Sequence, residues 1–417
     1  MSTMALVIAL AAQATAPSGP PAPATDTSTA STGPQVGTLT FVDLDAGVGY
    51  STNPVQRNSG SSGAGYGRFS VRGVHTRVST RTTTSISAFA QEAVYSRRNG
   101  GQLSADLRAS HTARVSERFS VYGSAQGSFD KGGQLDTRVL ASPGVPIVPG
   151  DIQPPVILPG GDILSLSGRQ YRLMASVGGS YVLSARDSMN FSSGIQHVVS
   201  KNGSFDTRYT TIPLSIGYDR TLSVRTAVGV QAVYQHTDYN GPSSFESFSP
   251  RLTLRQALSE RMNLSASLGP SFSSSSNGST TRHSTGIAGD LNICSATGER
   301  SSFCGTLGIS QQAATSVGAT KSITAGLSYS RRLDANQTLR LAVDANRYSR
   351  PTLLVTGPSF SHATYVRAAA DYSRRIDGGR WFGGATLAAR KFTQTGPDPK
   401  MDFSGSLFIR YRLGDIK

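Results

Sequence analysis

The residues of this sequence that could do chemistry are mainly arginines and aspartates, and they stand singly along the chain. Only six of the 40 basic residues are lysines, and the formal net charge is +15. Arginines and aspartates such as Arg108 and Asp106 occupy the polar positions of segments with alternating polarity. Nucleic-acid binders instead cluster their Lys and Arg on one face of a domain. The charge pattern therefore argues against a nucleic-acid partner.

The six histidines show no paired spacing of the kind that metal ligands need. His283 precedes Ser284, and His362 follows Ser361. Neither His-Ser pair has a flanking motif, so the sequence gives little support for a lipase or deacylase. The glycine-rich stretch 63–67 precedes a strand and lacks the helix N-terminus of a phosphate cradle. We expect no catalytic residue, no metal site and no cofactor, so the protein is not expected to be an enzyme.

The elements that position the charged residues are predicted from a period of two. The alternation begins at about residue 38. In one segment Leu103, Ala105 and Leu107 alternate with polar residues, and similar segments recur as far as Leu413. Successive strand residues point to opposite faces, so each segment is predicted to be a strand with one apolar and one polar side. These strands run about 11–14 residues, which crosses a bilayer at a tilt of about 40°. No stretch of about 18 apolar residues predicts a membrane-spanning helix.

The connections between the strands are predicted to fall into two classes. One class is longer and polar and includes all four Asn-Gly pairs, whose residues tolerate positive φ. Each short turn joins two strands. Eight short turns at one end of the barrel, with both termini at the same end, therefore predict 18 strands. Sixteen strands are the alternative, because the inward and outward positions of strands two, three and seventeen are ambiguous. The short charged turns are 80–82, 116–118, 184–187, 219–221, 259–261, 298–300, 334–336 and 377–379.

Over about residues 38–413 the chain resembles Gram-negative outer-membrane β-barrel proteins of the porin type. The last strand, Phe403–Leu413, resembles their C-terminal assembly signal, although the chain continues to Lys417. The resemblance implies an all-β fold, a transmembrane antiparallel up-and-down β-barrel of the outer membrane with both termini periplasmic. The implied partners are outer-membrane lipid, lipopolysaccharide and the barrel-assembly machinery. A soluble propeller or β-helix is the alternative, but propeller blades use shorter strands.

The N-terminal region is predicted to be separate from the barrel, which occupies residues 37–417. A nine-residue apolar run from Met4 to Ala12 and the small residues after it indicate a signal peptide over 1–16. Because no Lys or Arg precedes this run, we expect the true start to lie upstream. Residues 17–36 are rich in Pro, Ser and Thr, predict a disordered linker, and are too short and too polar for a plug domain.

Strand parity places 13 arginines and eight aspartates on the lumen face, an excess of five positive charges. The arginines are Arg68, Arg72, Arg108, Arg114, Arg172, Arg225, Arg251, Arg255, Arg282, Arg340, Arg367, Arg410 and Arg412. The aspartates are Asp43, Asp45, Asp106, Asp130, Asp219, Asp290, Asp344 and Asp371. A cationic ring favours anions in a water-filled pore. A mutually satisfied charge network without a transport role is the alternative.

The function predicted from these residues is a passive diffusion channel for small anionic or polar solutes, with a weak preference for anions. The alternative is a surface barrel without a channel that assists the assembly or export of an envelope polysaccharide. We expect closure between strand one, about 39–50, and strand eighteen, about 401–413. Asp43 and Asp45 would then face Arg410 and Arg412 across the seam.

The third long loop, residues 131–168, is unusual for a loop in water because it combines six prolines with many aliphatic residues, among them Val145, Ile147, Val148, Ile152, Val156, Ile157 and Leu158. Such a loop is better sheltered than exposed. Third loops of porin-type proteins fold into the barrel, and the resemblance implies the same here. We expect its acids Asp136, Asp151 and Asp162 to face the arginines and to constrict the lumen; a cap or a partner-binding surface outside the barrel is the alternative.

Cys294 and Cys304 are the only cysteines, and we predict a disulfide between them. The short turn centres on Glu299, and each cysteine lies five residues from it, so antiparallel pairing sets them opposite one another. Cross-strand Cβ atoms lie about 4.5–5.5 Å apart, close to the spacing that a disulfide needs. An extracytoplasmic location permits the bond.

Overall fold

A closed sheet of 18 antiparallel strands forms the whole of the structure, a computed structural model that describes residues 37–54, 63–96, 101–131, 169–202, 205–297, 300–313, 319–349, 362–376, 379–394 and 401–415. The strands are β1 Gly37–Ser51, β2 Ala64–Val78, β3 Thr82–Tyr95, β4 Gly101–Arg114, β5 Phe119–Lys131, β6 Arg169–Val182, β7 Asp187–Asn202, β8 Phe205–Ser223, β9 Thr226–Tyr239, β10 Ser244–Ser259, β11 Met262–Ser276, β12 Thr281–Thr297, β13 Ser301–Ala313, β14 Ala319–Arg332, β15 Gln337–Ser349, β16 His362–Ile376, β17 Trp381–Gln394 and β18 Asp402–Gly414. The predicted signal peptide over 1–16 and the linker over 17–36 lie outside the described residues.

Alternating polarity places apolar residues on the outer face of the barrel and polar residues on the inner face, as in β18. Phe403, Leu407 and Ile409 are 55%, 65% and 48% exposed on the outer face. Asp402 and Arg410, which point inward, are buried. Exposed apolar rows of this kind recur on the outer face of the other strands, where lipid supplies the apolar contact that a water-soluble sheet finds in its core.

The barrel closes between its first and last strands. β1 pairs antiparallel with β2 on one side and with β18 on the other, so neither strand leaves an open edge. Closure matters in lipid because an unpaired backbone group there costs several kcal/mol. The prediction of 18 strands is therefore confirmed, and the 16-strand alternative is wrong.

The two ends of the barrel differ in what they carry. Gly37 lies opposite Val78, and Phe41 lies opposite Gly414, so both ends of the described chain share an end with the turn at 79–81. We call this the turn end and the opposite one the loop end. Within the described residues, no helix is long and apolar enough to cross a membrane.

Two of the predicted features of the connections are wrong. The turn expected at 219–221 lies at Val224 and Arg225, because β8 continues to Ser223 and shifts register near its end. The loop-end connections are also not uniformly long, since only residues 240–243 join β9 to β10 and 277–280 join β11 to β12. Both contain Asn-Gly, and the positive φ of Gly241 and Gly278 explains how so few residues reverse the chain.

Aromatic residues form a belt near each end of the outer face. At the turn end, Trp381 stacks near Tyr411 with ring centroids 4.7 Å apart. At the loop end, Phe129 and Tyr171 lie 4.9 Å apart. A strand of about 14 residues tilted by about 40° spans ~35 Å, which matches a bilayer with its interfaces. Aromatic residues near both ends of the outer face are typical of membrane barrels.

Candidate functional site: the lumen wall

The lumen-facing side chains of β15–β18, β1 and β2 form a surface that we call the charged wall. By alternation it carries eight arginines and five aspartates, an excess of three positive charges. The arginines are Arg68, Arg72, Arg340, Arg367, Arg375, Arg390, Arg410 and Arg412, and the aspartates are Asp43, Asp45, Asp344, Asp371 and Asp402. The seam between β1 and β18 runs through its middle.

The seam is lined by ion pairs between the expected residues. Asp43 accepts two hydrogen bonds from Arg412, from Nε at 2.7 Å and from Nη2 at 2.9 Å. Asp45 accepts from Arg410 at 2.9 Å and lies 3.4 Å from the Arg68 guanidinium. A guanidinium fork matches a carboxylate in both geometry and charge. Each seam aspartate thus holds arginines from a neighbouring strand.

Two phenylalanines support these arginines from the lumen side. Phe408 is buried, and the guanidinium carbons of Arg410 and Arg68 lie 5.1 Å and 5.7 Å from its ring centroid. Arg412 lies 4.1 Å above the ring of Phe41. Guanidinium groups at such distances are attracted to the face of an aromatic ring. The wall therefore fixes its cations by stacking as well as by ion pairing.

A buried ion pair closes the loop end of the charged wall. Asp402 is fully buried and accepts from Arg390 Nε at 2.8 Å, from Ser51 Oγ at 2.7 Å and from the Asn53 amide at 2.7 Å. Arg390 also donates to the carbonyl of Pro54 at 3.0 Å. The pair therefore ties β17 and β18 to the segment that leaves β1.

Sequence reasoning missed both Arg390 and Asp402. Asp402 stands first in β18, where alternation gives little warning, and the apolar and small residues of β17 made its parity ambiguous. The register of β17 against β18 sets Arg390 opposite Asp402, and pairing opposite charges across these strands was the signal that could have found them.

Four more of the predicted residues lie opposite one another on β15 and β16. Arg367 donates to Asp344 across the pair β15–β16. Asp371 lies opposite Arg340 in the register and accepts a hydrogen bond from Thr386 Oγ1 at 3.1 Å. These contacts bring further predicted charges of the charged wall together across neighbouring strands.

Elsewhere in the lumen the predicted charges form local pairs. Arg255 donates to Asp219 at 3.0 Å, and Arg251 donates to Asp290 at 2.7 Å. Asp219 reaches β10 across Gly229 of β9, where an added Cβ would lie 2.5 Å from its carboxylate oxygen. Glycine is required there because the carboxylate passes directly over the strand.

The remaining predicted pore-lining residues separate into three groups. Arg108 is 2.7 Å from Asp106 and is part-exposed to the lumen, and Arg172 is buried on the lumen face of β6. Arg114 is exposed at the last position of β4. Arg225 is exposed in the β8–β9 turn, so its assignment to the pore wall is wrong, because β8 is longer than its alternation suggested.

The neighbouring part of the lumen, formed by β11–β14 and joined to the charged wall by the pairing of β14 with β15, carries hydroxyl groups in place of most charges. We call it the hydroxyl wall; its members include Ser267, Ser271, Ser273, Ser275, Ser302, Thr306, Ser310, Thr320, Ser322, Thr324, Ser328 and Ser330. Ser310 and Ser322 hydrogen-bond across strands at 2.9 Å, and Ser271 bonds Ser249 at the same distance. The side chains of this wall present neutral hydrogen-bond donors and acceptors.

The disulfide lies on the lumen face of the hydroxyl wall, near its turn end. Cys294 and Cys304 are opposite one another in the register of β12 and β13, and their sulfurs are 2.12 Å apart. Both residues are buried. The bond joins the two strands at the position that the sequence predicts.

The predicted constriction residues and the question of a metal site remain to be described. The constriction residues Asp136, Asp151 and Asp162 lie outside the described residues. Among the described residues, no group of three or more His, Cys, Asp or Glu side chains is placed to hold a metal ion.

Several solved structures share a related fold with the chain at low sequence identity, and no protein-family model or curated protein sequence matches it. BauA, the ferric preacinetobactin receptor of Acinetobacter baumannii, is 11% identical with a TM-score of 0.45 over 90% of this chain and 81% of its own. The FrpB iron transporter of Neisseria meningitidis is 10% identical with a TM-score of 0.44, over 86% of this chain and 64% of its own length, just under two thirds. The siderophore receptor PirA of Pseudomonas aeruginosa is 11% identical with a TM-score of 0.41, over 90% and 80%. These likenesses concern the fold alone.

The closed sheet, the apolar outer face and the two aromatic belts together decide the class of protein. The chain has the fold of an outer-membrane β-barrel. Its lumen is polar, and its charges are concentrated on one wall.

Proposed function

We propose that the barrel is a passive diffusion channel with an arginine-lined lumen that weakly prefers small anions. The observation that carries the proposal is the excess of three arginines over aspartates on the charged wall. A barrel of 16–18 strands is wide enough to leave an aqueous channel. A cationic wall in such a channel raises the local concentration of anions.

The contacts within the charged wall suit this role. Each seam arginine is held by a carboxylate or an aromatic ring, so the positive charges keep fixed positions while solutes pass. The adjoining hydroxyl wall offers hydrogen bonds to hydrated solutes without attracting one sign of charge. The proposal needs no catalytic group and no cofactor, and it places both termini in the periplasm, at the turn end.

Ion selectivity of the purified barrel in planar bilayers tests the proposal. Under a tenfold KCl gradient we expect single-channel currents with a zero-current potential that indicates chloride preference. The double variant Arg72→Gln/Arg340→Gln should lose that preference. The matched control Arg118→Gln/Arg186→Gln removes the same charge from exposed turn residues and should keep it.

Two results would contradict the proposal. Cation selectivity in the parent barrel would remove the role of the arginines. Stable insertion without any single-channel current would favour the alternative, a surface barrel that assists the assembly or export of a polysaccharide.

The proposal extends to the third long loop as a separate prediction. If residues 131–168 constrict the lumen with Asp136, Asp151 and Asp162, deletion of residues 140–160 should raise single-channel conductance. An unchanged conductance would show that the loop does not narrow the pore.

A further inference from the structure

Two neighbouring strands of the hydroxyl wall separate at the loop end. β12 and β13 pair from the turn end as far as Gly289 and Ile309, and there their pairing ends. Both strands continue beyond this point: β12 stays paired with β11 as far as Thr281, and β13 with β14 as far as Ala313. In the pair β10–β11, by contrast, the register reaches the first residue of β10 and the last of β11. We call the separation of β12 from β13 beyond Gly289 and Ile309 the split.

The split lies within the apolar band of the outer face. Phe303 is exposed near the turn end of β13, opposite Tyr329 of β14. From Phe303 to Ile309 the strand advances ~20 Å, or about 15 Å across the membrane at a tilt of about 40°. Because the apolar band of a membrane barrel is about 25 Å tall, the split begins inside it. Ile287 of β12, beside the split, is 55% exposed on the outer face. The lumen therefore adjoins lipid at this place.

The side chain of Gln311 passes through the split. In the register of β13 and β14, Gln311 lies opposite Lys321, which is exposed and shares the outer face with Ile323. The amide of Gln311 reaches the lumen face all the same. Ser271 Oγ donates to its Oε1 at 3.3 Å, and its Nε2 donates to Ser284 Oγ at 3.4 Å. Paired strands lie about 4.8 Å apart and leave no room for a side chain between them, so this crossing requires an open ladder.

The contacts of Gln311 close the split on its lumen side. Ser284 lies opposite Ser273 of the hydroxyl wall, so the amide ends among lumen hydroxyl groups. A Cβ on Gly286 would lie 2.8 Å from Gln311 Nε2, so the glycine leaves the space in which the amide rests. Both hydrogen bonds of the amide are longer than the usual range of about 2.7–3.2 Å. The closure is therefore weak and reversible.

We propose that the split is a lateral passage between the lumen and the membrane for a single-chain amphiphile, with Gln311 as its closing residue. One side of the passage presents hydroxyl groups, and the other presents Ile287 and lipid, so a molecule that suits both has a polar head and an apolar tail. Ser271 and Ser284 can donate hydrogen bonds to a head such as a carboxylate. The stem of Gln311 and an acyl chain are both single chains of methylene groups, so the split has the width for one acyl chain. This passage goes beyond the proposed diffusion channel and does not depend on it.

Photolabelling of the purified, folded barrel in lipid nanodiscs tests the passage. The probe is a fatty acid with a photoreactive diazirine in its chain, compared with a two-chain phospholipid that carries the same group. The opening variant is Gln311→Ala. In the refilled variant Gln311→Ala/Gly286→Phe, a ring starts from the position beside the vacated amide and fills the split again. The matched control Gln235→Ala shortens a glutamine of β9 whose Nε2 donates to Thr237.

Mass spectrometry locates the labelled residues, and labelling of the lumen-facing Ser271 and Ser284 is the readout. Loss of two hydrogen bonds at the weak end of the usual strength shifts an equilibrium on the order of fivefold, so Gln311→Ala should raise this labelling about fivefold above the parent. The refilled variant and Gln235→Ala should label as the parent does. Equal labelling in the parent and Gln311→Ala, or an increase that the refilled variant keeps, would overturn the passage. An equal increase with the two-chain probe would overturn the single-chain amphiphile as its occupant. Folding of each variant is checked by its heat-dependent electrophoretic mobility, and channel conductance does not enter the outcome.

Discussion

The charged wall and the hydroxyl wall belong to one sheet but hold their strands in register by different means. On the hydroxyl wall, neighbouring strands are joined by connections of a few residues, as between β11 and β12. At the seam, Asp43 and Arg412 are 369 residues apart, and no turn joins β1 to β18. A slip of one residue would turn every lumen side chain towards lipid. Side chains must therefore specify the register of β1 against β18, and the paired charges of the seam do so.

The same comparison separates the two walls by function. The charges that specify the seam also give the lumen its positive excess, so structure and selectivity use the same residues there. Short connections and a disulfide fix the strand register of the hydroxyl wall. Its lumen side chains are therefore not needed to specify the register, and most of them are neutral. Variants on the two walls should therefore differ in size of effect and in sensitivity to salt.

The largest difference is expected between Asp402→Ala and Ser271→Ala. Removing Asp402 leaves Arg390 buried without its carboxylate, and breaking a buried pair in this way costs about 3–5 kcal/mol. Ser271 is as deeply buried but loses only neutral hydrogen bonds, for about 1 kcal/mol. Urea unfolding in detergent measures both. Equal losses would mean that the charged wall has no special role in stability.

Loss of the disulfide is the next largest effect. Cys294→Ser/Cys304→Ser opens a ring with a sequence separation of 10, and such a ring contributes roughly 2–3 kcal/mol. The loss should be the same at low and high salt, because no charge is involved. Reduction of the parent protein is the control, since it should reproduce the variant. A salt-dependent loss would contradict the division between the two walls.

Stacking on the charged wall is expected to give a smaller effect. Phe408→Leu removes the ring that lies beneath Arg68 and Arg410. Phe392→Leu changes an equally buried lumen phenylalanine by the same volume. We expect Phe408→Leu to lower the free energy of unfolding by about 1 kcal/mol more than Phe392→Leu. No difference between the two would assign the stabilisation to packing alone.

The smallest expected effect concerns ion selectivity. Asp45→Asn removes one negative charge beside Arg68 and Arg410 and should raise the chloride-to-potassium permeability ratio about twofold at 0.1 M salt, where screening limits the effect. Ser322→Ala on the hydroxyl wall should leave the ratio unchanged. A lower ratio in Asp45→Asn would show that the positive excess does not act on permeating ions.

Residue patterns predicted the architecture well where alternation was strong. In β4 and β5 the apolar and polar positions alternate almost without interruption, and the strand ends at Arg114 and Phe119 lie close to those expected. Alternation failed for β17, where small residues occupy both faces, and that is why Arg390 was missed. It also failed at the end of β8, where a register shift near Thr221 moved the turn and with it Arg225.

The lumen aromatics show a different limit of sequence reasoning. Phe408 stands between Leu407 and Ile409, so three consecutive apolar residues give no parity of their own. Only the position of Arg410 indicates that Phe408 faces the lumen, and nothing in the sequence indicates that two guanidinium groups flank its ring. That arrangement depends on Arg68 of β2, which is close in space only because the barrel closes.

By itself, the sequence determined the strand number, the two faces of most strands, the opposite charges at the seam and the pairing of the two cysteines. These features follow from a period of two and from local turns, which act between residues near one another in the chain. Closure decided which groups meet at the seam: the hydrogen bonds that β1 gives to Asp402 and the position of Arg68 of β2 beside the ring of Phe408. Register across strands brings such residues together, and side-chain contacts between segments far apart in the sequence are decided only when the sheet is complete.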